Sequence, residues 1–304
     1  MLGLNDLKKQ GALMSTTRIF GYMRFSYLGR SDVRLARQND DLEYRKSVLY
    51  APDRLEERFY FFEKICLPSL KWQSDQDFRF AIFTSPDLPE PYQQRLKQVT
   101  EAVPQIEIVY DTAAHINDAI HPWMARQDSV QANRTLHFRL DDDDALSTDF
   151  VAALHEHMDR VPENSIISRP TGLFLMNAAD GPHLLAKFEP YIAIGFAIVN
   201  GPGHIRNPYA LMHRGHHRMF PSLNLPWPLA YIHTAHLQSD TITAQNKKLA
   251  EAKADHEYRF GGRARRFLQA VRGGFNDLRP EHFTRIIQNA PSLSDTPPTK
   301  KAPV

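Results

Sequence analysis

The sequence holds a single cysteine, Cys66, among 304 residues. No intramolecular disulfide can form, which suits a reducing compartment. Cys66 lies in the apolar run Phe61-Phe62-Glu63-Lys64-Ile65-Cys66-Leu67, which offers a nucleophile neither a base nor an electropositive setting. The thiol is therefore expected to be a buried small hydrophobe. Long apolar runs are also missing. Residues 1–17 lack a signal-peptide core, and no window reaches the roughly 18 apolar residues of a spanning helix. A cytoplasmic protein is the expectation. Charge of one sign is scarce: 37 Lys and Arg against 35 Asp and Glu leave a formal net charge of +2. That is too little for the basic face of a nucleic-acid binder, and no helix-turn-helix, zinc-finger or RNA-binding signature occurs.

What is present is an ordinary globular composition, 42% hydrophobic and 24% charged, which excludes disorder of the whole chain. A chain of this length can bury a substantial core. Residues 18–24, 78–84, 106–110 and 135–140 read as strands rich in β-branched and aromatic residues. Between them lie helical patterns. In the first, Leu55, Phe59, Phe62, Cys66 and Leu70 share one face, Asp53 is placed to cap the start, and Pro68 to kink the end. The second covers residues 91–102; the third, over 112–131, is interrupted at Pro122. This alternation predicts βαβ units and a mainly parallel sheet covered on both faces. Residues 165–168, 173–176, 191–199 and 229–233 read as further strands, in which mixed or antiparallel pairing is expected. The organisation predicted is an N-terminal extension (1–17), one domain (18–290) and a disordered tail (291–304).

Ligands of parallel sheets bind beyond the carboxyl ends of the strands. Those ends carry Arg24-Phe25-Ser26, Thr84-Ser85, Asp111 and the run Asp141-Asp142-Asp143-Asp144. Four consecutive aspartates after an apolar strand are costly unless solvated or offset by a cation. In an extended segment Asp141 and Asp143 converge on one side while Asp142 points to the other. Carboxylate oxygens suit Mg²⁺ or Mn²⁺. An EF-hand counted from Asp141 fails, because its sixth and twelfth positions are Leu146 and Ala152. A solvated acidic loop capping the next helix is the plain alternative.

Several ordered blocks resemble the rhamnosyltransferase family. They are Arg24-Phe25-Ser26-Tyr27, Leu49-Tyr50-Ala51-Pro52-Asp53-Arg54-Leu55-Glu56-Glu57-Arg58-Phe59, Leu67-Pro68-Ser69-Leu70, Gln73, Asp77-Phe78 and Arg139-Leu140-Asp141-Asp142-Asp143-Asp144-Ala145-Leu146. The resemblance covers roughly residues 18–245, and that family is similar to glycosyltransferases of the GT-A fold. It implies an α/β, GT-A-like (Rossmann-like) mixed, mainly parallel sheet flanked by helices. It also implies an Asp-x-Asp that holds a divalent metal, Mn²⁺ or Mg²⁺, against the diphosphate of a nucleotide-diphospho-sugar donor. Carried over residue by residue, Asp143 matches the metal-binding Asp, Asp144 supports the metal shell, and Asp141 faces the donor ribose or sugar. Arg24 and Ser26 match the nucleotide-binding edge, and Thr84 at the next strand end joins them. His236 falls where many GT-A enzymes place a C-terminal metal-ligand histidine, with His233 as its rival.

One departure stands out. Inverting GT-A enzymes usually carry a catalytic Asp or Glu after a Gly-containing strand, yet residues 190–239 contain no acid. They contain instead His213-Arg214-Gly215-His216-His217-Arg218. His213 or His216 could serve as the base, or Arg214 and Arg218 could bind phosphate. Asp180, Glu189 and Asp240 are bases available from flanking segments. The expected function is transfer of a sugar, rhamnose by the family's label, to a hydroxyl of a glycan or lipid-linked acceptor. A non-catalytic nucleotide-sugar or glycan-binding domain is the alternative; a phosphotransferase would need a P-loop or kinase motif that is missing. Finally, Ala264, Phe267, Leu268 and Val271 form a stripe among Arg263, Arg265, Arg266 and Arg272. Such a segment can touch an anionic membrane peripherally or pack on the domain; burial of Phe267 and Leu268 is the expectation.

Overall fold

A computed structural model describes residues 17–29, 41–178, 181–210 and 219–235. A seven-stranded sheet runs through its centre, with strand order β10-β6-β9-β4-β1-β2-β3. In it β1 (Ile19–Arg24) pairs in parallel with β2 (Arg79–Thr84) and β4 (Thr135–Arg139), and β2 pairs in parallel with β3 (Ile106–Tyr110). On the other side β9 (Phe196–Asn200) runs antiparallel to both β4 and β6 (Ile166–Ser168), and β10 (Ser222–Asn224) closes the edge parallel to β6. The expected mixed, mainly parallel sheet flanked by helices is what the chain forms.

Alternation along the strands sorts the core into two layers. Ile19 and Met23 of β1 with Phe80 and Ile82 of β2 face one side, where Phe59, Phe62, Cys66 and Leu70 pack on them. Phe20, Tyr22, Ala81 and Phe83 face the other, against Ile116, Ala119, Ile120, Trp123 and Met124. Gly21 sits where a Cβ would come 2.3 Å from the Phe80 ring and 2.5 Å from that of Phe138. Only a residue without a side chain lets those rings meet across β1.

The helical face anticipated at Leu55, Phe59, Phe62, Cys66 and Leu70 is fully buried. Two details differ. Ala51, not Asp53, occupies the N-cap of the helix Pro52–Phe61. Pro52 takes the first position, where its missing N–H costs nothing, and Asp53 lies in the first turn near the positive helix end. Ahead of Pro68 the helix takes a π-turn, Phe62–Cys66, in which the Leu67 N–H bonds the Phe62 carbonyl, and it continues as Leu67–Lys71 with Pro68 in the first turn. Likewise Pro122 does not break its helix, which runs Ile116–Ala125 and ends at Arg126. Five buried residues press that helix onto the sheet, and packing outweighs the one lost backbone bond.

A second sheet, order β5-β11-β7-β8, was not foreseen as a separate layer. It pairs β11 (Tyr231–Ala235) antiparallel with β5 (Ala145–Leu146) and parallel with β7 (Thr171–Ala178); β7 pairs antiparallel with β8 (Gly181–Phe188). Leu173 and Ile232 pack on Phe61 and Ile65, while Tyr231 joins the core beneath the large sheet. Because β5 directly follows the four aspartates, the small sheet holds the far end of the acidic run. No helix among the described residues is long and apolar enough to cross a membrane. The segment with Phe267 and Leu268, the 1–16 extension and the tail lie outside the described residues.

Candidate active site

The parallel register sets the strand ends side by side: Tyr22 opposite Arg139, Arg24 opposite Phe83, and Thr84 opposite Tyr110. The anticipated polar edge is thus real. Its residues differ in access. Ser26 is buried with φ of 44°, a left-handed backbone that turns the chain sharply out of β1. Its hydroxyl accepts from Arg54 Nη1 at 3.3 Å, and that guanidinium also bonds the Leu49 carbonyl at 2.9 Å. Thr84 is fully buried, and its carbonyl accepts from the Asp111 N–H at 3.0 Å. Arg24 and Arg139 flank the ring of Tyr209, 5.0 and 4.6 Å from its centroid. Two guanidinium groups therefore stand together at the ends of β1 and β4.

The acidic run is a turn, not the extended segment anticipated, closed by the Asp144 N–H on the Asp141 carbonyl at 3.2 Å. Alternation nonetheless leaves Asp141 and Asp143 partly exposed and buries Asp142 and Asp144. Arg139 grips both oxygens of Asp141, at 3.0 and 2.9 Å. Asp142 points inward to Arg58, which comes from the same helix face as Arg54. Its other oxygen is buried and has no hydrogen-bond partner. Burial pushes its carboxyl up to about 6, against the pull of Arg58 and with the push of Asp143. Asp144 accepts from the Thr234 N–H at 2.8 Å, and the Thr234 hydroxyl bonds the Asp143 carbonyl at 2.5 Å. Burial, then Asp143 and Asp141, push the Asp144 carboxyl well above the usual range.

Arg54, Arg58 and Thr234 were missed by sequence reasoning. The spacing of Arg54 and Arg58, one helical turn apart and inside a block singled out for other reasons, was the available signal. Among the described residues no three Asp, Glu, His or Cys side chains come together as a metal cluster. His213, Arg214, His216, His236 and Asp240 lie outside the described residues. Their roles stay expectations. His233 is described: its Nδ1 lies 2.6 Å from Lys187 Nζ. Glu189, one of the flanking acids considered as base, is in an ion pair with the same Lys187 at 3.0 Å. Cys66 is buried, and burial pushes its thiol well up, which fits an inert core residue.

The model of the family described as "Putative rhamnosyl transferase" matches residues 18–248. The chain belongs to this family. No curated protein matches the chain. Among solved structures it is similar to S. aureus TarS, at 10% identity and TM-score 0.36, over 90% of this chain and 49% of TarS. It spans about half the length of that protein. A shorter TarS structure, residues 1–349 in complex with UDP, gives 9% identity and TM-score 0.37 over 90% of this chain and 81% of that one.

Proposed function

We propose that this member of the rhamnosyltransferase family transfers a sugar, rhamnose by the family's label, from a nucleotide-diphospho-sugar to a hydroxyl of a glycan or lipid-linked acceptor in the cytoplasm, with a divalent cation at the acidic turn. One observation carries the reading. Four carboxylates stand in one turn at the carboxyl end of β4, two buried and pushed upward, two reaching solvent, with the guanidinium groups of Arg24 and Arg139 alongside. Arg58 and Thr234 satisfy one oxygen each of Asp142 and Asp144, and one Asp142 oxygen stays orphaned.

The carboxylates of the turn offer oxygen donors, which fit Mg²⁺ or Mn²⁺. These ions commonly take one or two carboxylates and complete their shell with water and substrate phosphate. Asp143 would hold the ion, Asp144 would support it through the turn, and His236 is the further ligand the family resemblance implies. When bound, such an ion offsets charge on a departing diphosphate. Asp141 faces the ribose or sugar, tied in place by Arg139. Arg24, with Arg139, supplies positive charge to the donor's phosphates, a role shared with Arg214. His213, His216 and Asp240 remain the proposed bases, since Glu189 is engaged by Lys187. The test is to incubate the protein with UDP-, GDP- and dTDP-sugars and Mn²⁺ and to measure released nucleoside diphosphate. Release supports an enzyme; binding without release under any acceptor would leave a nucleotide-sugar-binding domain.

A further inference from the structure

We propose that Lys187 and Glu189 fix His233 as a neutral hydrogen-bond donor through Nε2, placed beside the acidic turn to meet an anionic oxygen of a nucleoside diphosphate. The donor role rests on the nucleotide-sugar reading above; the fixed tautomer does not. Lys187 Nζ stands 3.0 Å from Glu189 Oε2 and 2.6 Å from His233 Nδ1. Beside a carboxylate the amine is an ammonium, which has donors only. Nδ1 must then accept, and the ring's single proton sits on Nε2. Phe174, opposite His233 in the β7–β11 register, closes the arrangement. It meets the imidazole edge-on at 5.4 Å between centroids and the ammonium at 5.3 Å from its ring.

Two consequences follow from that geometry. First, His233 cannot ligate a metal in this state, because Nδ1 is taken by Lys187 and Nε2 carries the proton. Of the two histidines considered as C-terminal ligand, only His236 is left. Second, His233 lies on the same face of β11 as Tyr231, whose side chain belongs to the core shared with the large sheet. The next residue, Thr234, bonds both Asp143 and Asp144. Burial and Lys187 hold the imidazole pKa down to about 4, against the pull of the Asp143 and Asp141 carboxylates. A donor without charge next to carboxylates is suited to a phosphate oxygen whose charge a cation already offsets. Lys187 and Glu189 are positioning residues in this account.

The experiment is ¹⁵N-imidazole NMR on the full chain at pH 7.5, followed by titration with UDP, GDP and dTDP in turn, with Mg²⁺. The Nε2–H tautomer is expected for His233, and its Nε2 resonance should move with whichever diphosphate raises the melting temperature. Lys187→Met should release Nδ1 and bring a second tautomer or the imidazolium into view by pH 6; Glu189→Gln should do the same more weakly. In transfer assays His233→Ala should lose about 10- to 100-fold in kcat/KM, as expected for a hydrogen bond to a charged group. His233→Gln, with an amide N–H near the Nε2 position, should recover part of it. An Nδ1–H tautomer, or a tautomer unchanged in Lys187→Met, overturns the fixed state. An Nε2 resonance unmoved by a bound diphosphate overturns the donor role. If none of the three diphosphates binds while the tautomer is as described, the nucleotide reading is what fails, and the donor role with it.

Discussion

Asp142→Asn isolates the electrostatic load on the acidic turn. The side chain is buried, and its carboxyl titrates at about 6 in the fold against an ordinary 3.8. A folded-state pKa raised in this way favours the neutral form. Its contribution is full below about pH 3.8 and is lost as pH rises through about 6. At pH 8 the penalty approaches ~3 kcal/mol, from ~1.4 kcal/mol per pKa unit, whereas near pH 4.5 it is only ~1 kcal/mol. Arg58's attraction is already contained in the pKa, so it needs no separate allowance. Asparagine has the shape of the neutral acid and no titration. The stability of Asp142→Asn relative to the native protein should therefore improve by ~2 kcal/mol between pH 4.5 and pH 8. Urea melts of both proteins across that range, in EDTA, measure the difference. A difference independent of pH, or one that grows less favourable toward pH 8, would mean that the Asp142 carboxyl is not raised in the fold.

Three further outcomes follow from single contacts. Thr234→Val removes the hydroxyl on the Asp143 carbonyl but leaves the backbone N–H on Asp144; a loss of ~1–2 kcal/mol by urea unfolding is expected, with lower transfer. Gly21→Ala drives a methyl into Phe80 and Phe138, and should cost ~1–3 kcal/mol in the same assay. Arg139→Met removes the guanidinium that holds both oxygens of Asp141 and stacks on Tyr209; the measured Kd for a nucleoside diphosphate should weaken about tenfold, consistent with one charged hydrogen bond.

Much of this fold was legible because its strands and helices carry strong, different periods. The buried face at Leu55, Phe59, Phe62, Cys66 and Leu70 could be read from spacing alone. What the spacing missed were decisions made by tertiary contact. Pro122 stays inside its helix because the apolar face behind it is anchored. Of the hairpin, β7 was read at residues 173–176, whereas β8 has no clear alternation and the three-residue β10 is too short to announce itself. At the site, the position of the aspartates was visible, but the turn was not. A turn is set by the Asp144 N–H on Asp141 and by Thr234, which is 90 residues away from Asp144 in sequence. The Lys187–His233 pair was equally hidden, since it depends on two strands of a sheet whose pairing no local pattern specifies.

The proposed site brings a divalent cation and a nucleoside diphosphate together at this turn through Asp143. Calorimetric titration of the full chain with UDP, GDP and dTDP, with and without Mn²⁺, tests it most directly when repeated on Asp143→Ala. One diphosphate is expected to bind the native protein only when Mn²⁺ is present, and Asp143→Ala to lose this binding while keeping its melting temperature in EDTA. Binding of cation and diphosphate by Asp143→Ala equal to that of the native protein would contradict it.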